Sequence, residues 1–130
     1  MSYYFNKVLK SKSFDEALAQ VTAELKKEGF GVLTEIDIKK TLKNKIDVDF
    51  KNYKILGACN PHFAYNALQS EDKIGVLLPC NVIVEEHENG EIEVSAVDPI
   101  ASMGAVENEN LGDLASEVQQ KLINVIKNLN

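Results

Sequence analysis

Eight apolar residues recur at three- and four-residue spacing late in the chain: Leu111, Leu114, Ala115, Val118, Leu122, Val125, Ile126 and Leu129. That spacing lines one side of an α-helix, and an apolar stripe so continuous must be buried against another surface. A second helix is signalled by Ser13-Phe14-Asp15-Glu16, a capping box that opens a stripe of Phe14, Ala17, Leu18, Val21 and Leu25 before Gly29 stops it. The chain must supply a broad apolar face to receive both.

Strands supply it. The segments from Tyr3 to Leu9, Phe30 to Ile36, Tyr53 to Cys59 and Gly75 to Leu78 are short, rich in β-branched or aromatic residues, and bounded by breakers. A hairpin is predicted from Asn81 to His87 and Glu91 to Val97, joined through Asn89-Gly90, a dipeptide suited to the two positive φ angles of a type I′ turn. A two-residue turn sets Glu88 opposite Glu91, Glu86 opposite Glu93 and Asn81 opposite Asp98. Like charges placed so repel, a cost relieved either by solvent screening, the simpler explanation, or by a bound cation such as lysines of a neighbouring subunit. Shorter helices are expected around Asp37 to Ile46 and from Pro61 to Leu68, while Asp98 to Gly104 reads as a loop. With 130 residues, 45% of them hydrophobic, the chain has the size of one domain with one core. The expected fold is α+β: a single compact domain over residues 1–130, with an antiparallel-rich sheet and helices packed on one face.

Charge narrows the function classes. The net charge is −6 and all fourteen basic residues are lysines, so the chain has neither the positive surface that phosphate contacts demand nor the planar guanidinium that reads guanine or phosphate in bidentate fashion. Nucleic-acid binding is disfavoured. The charge is also uneven: residues 1–65 hold eleven Lys and eight acids, net +3, whereas residues 66–130 hold three Lys and twelve acids, net −9. Such halves can pair within one subunit or between two, and a plain solvated surface is the simpler alternative. The longest uncharged apolar stretch, Ile74 to Val84, is broken by Gly75, Pro79 and Asn81, and is too short to cross a bilayer. The first ten residues carry neither a continuous apolar run nor a small-residue cleavage site. A cytoplasmic location follows as the expectation, with Cys59 and Cys80 as reduced thiols.

Two short segments concentrate the residues that could carry chemistry. In Leu56-Gly57-Ala58-Cys59-Asn60-Pro61-His62, Asn60 is suited to cap a helix and Pro61 to begin it, so Cys59 leaves a strand where a helix N-terminus starts. The partial positive charge there favours thiolate over thiol. His62, in the first turn, is a candidate base or ligand; the alternative is a buried Cys59 acting as a small hydrophobe beside a surface His62. In Leu77-Leu78-Pro79-Cys80-Asn81-Val82, Pro79 marks an edge, a bulge or a bend, and Cys80 begins the next strand. Were Cys59 to reach this end of the hairpin, Cys59, Cys80, His62 and Asp98 would make a thiol or soft-metal site, although two cysteines twenty-one residues apart match no zinc-finger or CxxC spacing. The motifs of dinucleotide enzymes, P-loop hydrolases, zincins and α/β-hydrolases are missing from the sequence.

In the same residues the sequence resembles the domain of unknown function 302 family. The matching features are Thr34-Glu35-Ile36-Asp37 before a Lys-rich helix, Tyr53 through Pro61, Gly75-Val76-Leu77-Leu78-Pro79-Cys80-Asn81-Val82, and Asp98-Pro99. The resemblance runs in order over nearly the whole chain. It implies a compact α+β domain that forms homodimers and maps Cys and Asn positions onto Cys59, Asn60, Cys80 and Asn81, without assigning them a catalytic role.

Three readings follow. The favoured one is a homodimeric module that binds a small ligand or a partner near the two cysteine turns; its candidate residues are Cys59, Asn60, Pro61, His62, Cys80, Asn81 and Asp98, and its cofactor is undefined. The alternative is a thiol-redox or soft-metal protein, with Cys59, Cys80 and His62 as candidate ligands. A cysteine-nucleophile enzyme, with Cys59 attacking and His62 assisting, ranks third because the two residues follow each other too closely for productive geometry.

Overall fold

A computed structural model describes residues 2–130. Five strands form one antiparallel sheet: β1 (Tyr4–Leu9), β2 (Gly31–Asp37), β3 (Tyr53–Cys59), β4 (Cys80–Glu86) and β5 (Ile92–Val97), in the spatial order β1-β5-β4-β3-β2. The first two strands in sequence lie on opposite edges, so the helix between them, α1 (Phe14–Lys27), must cross the sheet. Ser13 caps it through the expected box, accepting from the Glu16 backbone N–H at 3.1 Å while the Glu16 carboxylate accepts from the Ser13 N–H at 3.0 Å.

Alternation along the strands decides which face is covered. Leu9, Leu56, Ala58, Cys80, Val82, Val84, Ile92, Val94 and Ala96 point to one side, where Ala17, Val21 and Leu25 of α1 join Val118, Leu122, Val125 and Ile126 of α5 (Leu111–Lys127) in a single core. Both predicted apolar stripes are therefore buried on one face of the sheet. Lys7 ties down the end of α5, its Nζ donating to the carbonyls of Leu129 at 2.6 Å and Lys127 at 3.1 Å, where the helix dipole favours a cation. Three further helices, α2 (Ile38–Ile46), α3 (Pro61–Ser70) and the short α4 (Pro99–Ser102), complete the chain. Ala67 of α3, Ile74 and Leu111 form a smaller apolar cluster beside the main core. No helix among the described residues is long and apolar enough to cross a membrane.

Three sequence expectations are corrected. Gly75 to Leu78 is not a strand: Gly75 to Leu77 end a 3-10 helix spanning Asp72–Leu77 and Leu78 follows it, because the sheet position beside β3 is taken by β4 and Ile74 is instead drawn into the smaller cluster. Asp98 to Gly104 contains α4 rather than only loop, with the Asp98 side chain capping it at the Ile100 N–H, 3.0 Å away. The hairpin register differs by one residue: Glu85 faces Glu93, Glu86 faces Ile92 and Val82 faces Ala96. Within this turn only Gly90, at φ +87°, has the left-handed backbone, whereas a type I′ turn needs it at Asn89 too. The loop is consequently Glu88-Asn89-Gly90, closed by the His87 N–H on the Glu91 carbonyl at 2.9 Å and the Gly90 N–H on the His87 carbonyl at 2.9 Å.

Candidate ligand cavity at the cysteine turns

Where the main core meets the smaller cluster, the side chains leave a cavity of about 340 Å³. Its floor is the end of the sheet at Ala58, Cys59 and Cys80; α3 supplies Phe63, Ala64 and Ala67, and the first half of α5 supplies Leu111, Leu114 and Val118. Thr34, Cys59, Asn60 and Cys80 are its polar side chains, and all of them lie toward the sheet end. Leu33, 69% exposed, stands at the mouth because the register of β2 against β3 shifts between Val32 and Thr34. A bulge of this kind re-aims a side chain that regular pleating would place elsewhere.

The turn after β3 is built as the residue types demand. Asn60 caps α3, its Oδ1 accepting from the Phe63 N–H at 3.5 Å, and its Nδ2 donates to the Glu28 carbonyl at 3.4 Å. Pro61 takes the first helical position. Gly29, at φ +85°, lets the chain leave α1 directly beneath this amide: a Cβ there would stand 3.0 Å from Asn60 Nδ2. At Gly57 a Cβ would collide with Thr34 Oγ1 across the strand pair and come within 2.8 Å of Pro79 Cγ. Glycine is what permits the Thr34 and Pro79 side chains to pack so closely on the β3 backbone.

Cys80 sits opposite Ala58, so the two cysteines occupy neighbouring positions on adjacent strands. Both are free thiols. Burial pushes the Cys80 thiol up to about 11, with a further contribution from Cys59, and Cys80 is therefore held as the neutral thiol. The other candidates are placed elsewhere. His62 is exposed in the first turn of α3 and Pro61 is exposed ahead of it, and neither lines the cavity. Asn81 is on the opposite face of the sheet, in a groove with Tyr4, Tyr53 and Ile83. Asp98 is engaged in capping α4 and accepts from Gln119 Nε2 at 3.1 Å, which fastens α4 to α5. Of the seven candidate residues, the fold thus gathers Cys59, Asn60 and Cys80 into one cavity.

The arrangement of Cys59, Cys80, His62 and Asp98 as a metal site is not formed: among the described residues, the one set of three ligand side chains with donor atoms within 4.8 Å of one another is Glu85, His87 and Glu93. His62 also has no part in the cavity from which Cys59 could be approached. Sequence reasoning missed the apolar lining of Phe30, Leu33, Leu114 and Val118, whose common destination becomes visible only when the ends of β2, β3 and α5 meet.

The family described as "Domain of unknown function DUF302" matches residues 5–129. The chain belongs to that family. A crystal structure of an uncharacterised conserved DUF302 protein from Bacillus stearothermophilus is similar throughout, with a TM-score of 0.89, 26% sequence identity and 98% of each chain covered. No curated protein matches the chain. The DUF302 assignment agrees with the resemblance carried by Thr34 to Asp37, Tyr53 to Pro61, Gly75 to Val82 and Asp98-Pro99, and it names no reaction.

Proposed function

We propose that this DUF302 protein is a cytoplasmic, homodimeric binding module whose ligand is a small, largely apolar molecule held in the cavity at the cysteine turns. The observation that carries the reading is the cavity itself. Its volume of about 340 Å³ falls within the range of small-molecule sites, about 300–1,000 Å³, and its walls are apolar except at one end. A ligand of matching polarity would bury a ring or short acyl chain against Phe63, Leu114 and Val118 and direct one polar group toward Thr34, Cys59 and Asn60. Exposed Tyr4, Val8 and Ile36 on the sheet's open face, together with the charge imbalance between the chain's halves, support self-association.

The thiol alternative draws on the adjacency of Cys59 and Cys80 across β3 and β4. A buried Cys80 with a raised pKa is a poor nucleophile and a poor metal ligand, since both roles need the thiolate. Titration with the neutral fluorophore N-phenyl-1-naphthylamine distinguishes the two readings. The expected result is saturable binding at one probe per chain, lost in Ala64→Trp, which fills the cavity, and retained in Cys59→Ser. Absence of saturable binding by the wild type, or binding that Ala64→Trp leaves unchanged, overturns the ligand reading. Sedimentation velocity over a hundredfold concentration range tests the dimer, which a single concentration-independent monomer would exclude.

A further inference from the structure

The face of the sheet that no helix of the core covers carries a second group of side chains, remote from the cysteine turns. The corrected register sets Glu85 of β4 directly opposite Glu93 of β5, and alternation brings His87, two residues beyond Glu85, to the same side. His87 Nε2 lies 2.8 Å from Glu93 Oε1, and one donor atom from each of the three residues falls within a 4.8 Å group. The two carboxylates are not open to water in the way surface acids usually are: the Glu85 side chain is 14% exposed and that of Glu93 19%. Like charges facing each other across strands are destabilising, and burial of this degree reduces the screening that would otherwise relieve them.

The neighbours compensate only in part. Lys51 Nζ meets Glu85 Oε1 at 2.7 Å, and Asn6 Nδ2 donates to Glu93 Oε2 at 2.6 Å. Two carboxylates face a single ammonium, that of Lys51, so the acidic pair is not fully matched by lysine. Glu88 adds to the negative charge from a shallow groove that His87 also lines, where the other acid, Asp49, is paired with Lys43 at 3.2 Å. Both contacts also leave one oxygen of each carboxylate for another partner: Glu93 Oε1 turned to His87, and Glu85 Oε2. A hydrogen-bond donor on the outer oxygen of a ligating carboxylate is the usual second layer of a metal site, where it fixes the direction of the inner one.

We propose that Glu85, His87 and Glu93 bind a borderline divalent cation of the first transition row, of the zinc class, on the open face of the sheet. One imidazole and two carboxylates form a donor set that favours such an ion over magnesium or calcium, which take oxygen donors almost alone. Ligand distances of about 2.0–2.2 Å require the three donors to draw in from their present spread, a movement that side-chain torsions of two glutamates and a histidine can supply. Three protein ligands leave coordination positions free. Glu85 and Glu93 also line the groove of Tyr4, Tyr53 and Ile83, from which water or a small anion can complete the shell.

Cobalt and zinc titrations of the purified protein, followed by absorption and calorimetry, test the assignment. The expected result is one ion per chain, with Co(II) showing d–d bands and no thiolate-to-metal charge-transfer band, since neither cysteine is involved. His87→Gln and Glu93→Gln, each checked for folding by circular dichroism, are expected to weaken Zn(II) binding at least about tenfold, and Asn6→Ala about 10–100-fold as a loss of second-layer support. Should either ligand variant unfold, Glu85→Gln gives the same comparison from the other strand. Failure of the wild type to bind either ion, a charge-transfer band from sulfur, or affinities unaltered in His87→Gln and Glu85→Gln would each overturn the proposal.

Discussion

Cys80 shows how one position can be read two ways until its surroundings are known. It starts a strand after a proline, and nothing in Leu-Pro-Cys-Asn distinguishes a reactive thiol from a buried one. The register places it on the core side opposite Ala58, 8% exposed, and desolvation then penalises the thiolate. A cysteine whose folded pKa is raised from the ordinary 9.0 to about 11 adds stability that is fully present below about pH 9 and is lost as pH rises toward 11. Two outcomes are expected. Iodoacetamide at about pH 8 modifies Cys80 far more slowly in the native protein than in urea, and mass spectrometry of the peptide reports it. The fall in urea midpoint between about pH 8 and about pH 10.5 becomes smaller in Cys80→Ala, which removes this titration but not those of the lysines and tyrosines. Native alkylation at the rate of the denatured chain would show that Cys80 is not buried.

At the scale of elements, local chemistry and tertiary context contributed unequally. The capping box at Ser13 is a self-contained device of four residues, so it was legible and the structure contains it with both of its hydrogen bonds. Ser13→Ala is expected to cost about 1 kcal/mol, read from a urea unfolding curve with unchanged slope, because it leaves the Glu16 N–H without its acceptor. A cost near zero would mean that water caps this helix equally well. The hairpin is the contrasting case. Asn89-Gly90 located the reversal correctly, yet the length of the loop depends on whether Asn89 adopts positive φ, and here only Gly90 does. A slip of one residue exchanges the two faces of a strand. On the two-residue reading Glu93 shares a face with Glu86, so the grouping of Glu85, His87 and Glu93 was hidden by that single step.

For the molecule as a whole, stability is concentrated where α1 and α5 cover the sheet. Leu122, fully buried, sits in that shared core with Leu25 of α1 and the inward side chains of β4 and β5. Leu122→Ala is expected to lose about 2–5 kcal/mol of unfolding free energy, the range for a buried leucine whose surroundings relax only partly. Chemical denaturation measures it, and a loss below about 1 kcal/mol would show that the two layers repack freely around the gap. The cavity at the cysteine turns lies outside this centre, at the junction with the smaller cluster of Ala67, Ile74 and Leu111. A space there can persist because the two apolar groups are joined through α3 and α5 without being one close-packed unit.

The amino-acid sequence by itself determined the α+β class, the two amphipathic helices, all five strands of the sheet to within one residue at each end, the position of the hairpin, and the family resemblance that the DUF302 match bears out. Gly75 to Leu78 was a strand too many. These features rest on interactions within a few residues: periodicity, caps, and the φ preferences of Gly, Pro and Asn. The tertiary structure alone decided the strand order, the hairpin register, the cavity, and which of the candidate residues meet. Each of these depends on contacts between segments far apart in sequence, such as Asn6 with Glu93 or Phe30 with Val118 around the cavity, whose energies are comparable for many pairings until the whole sheet has formed.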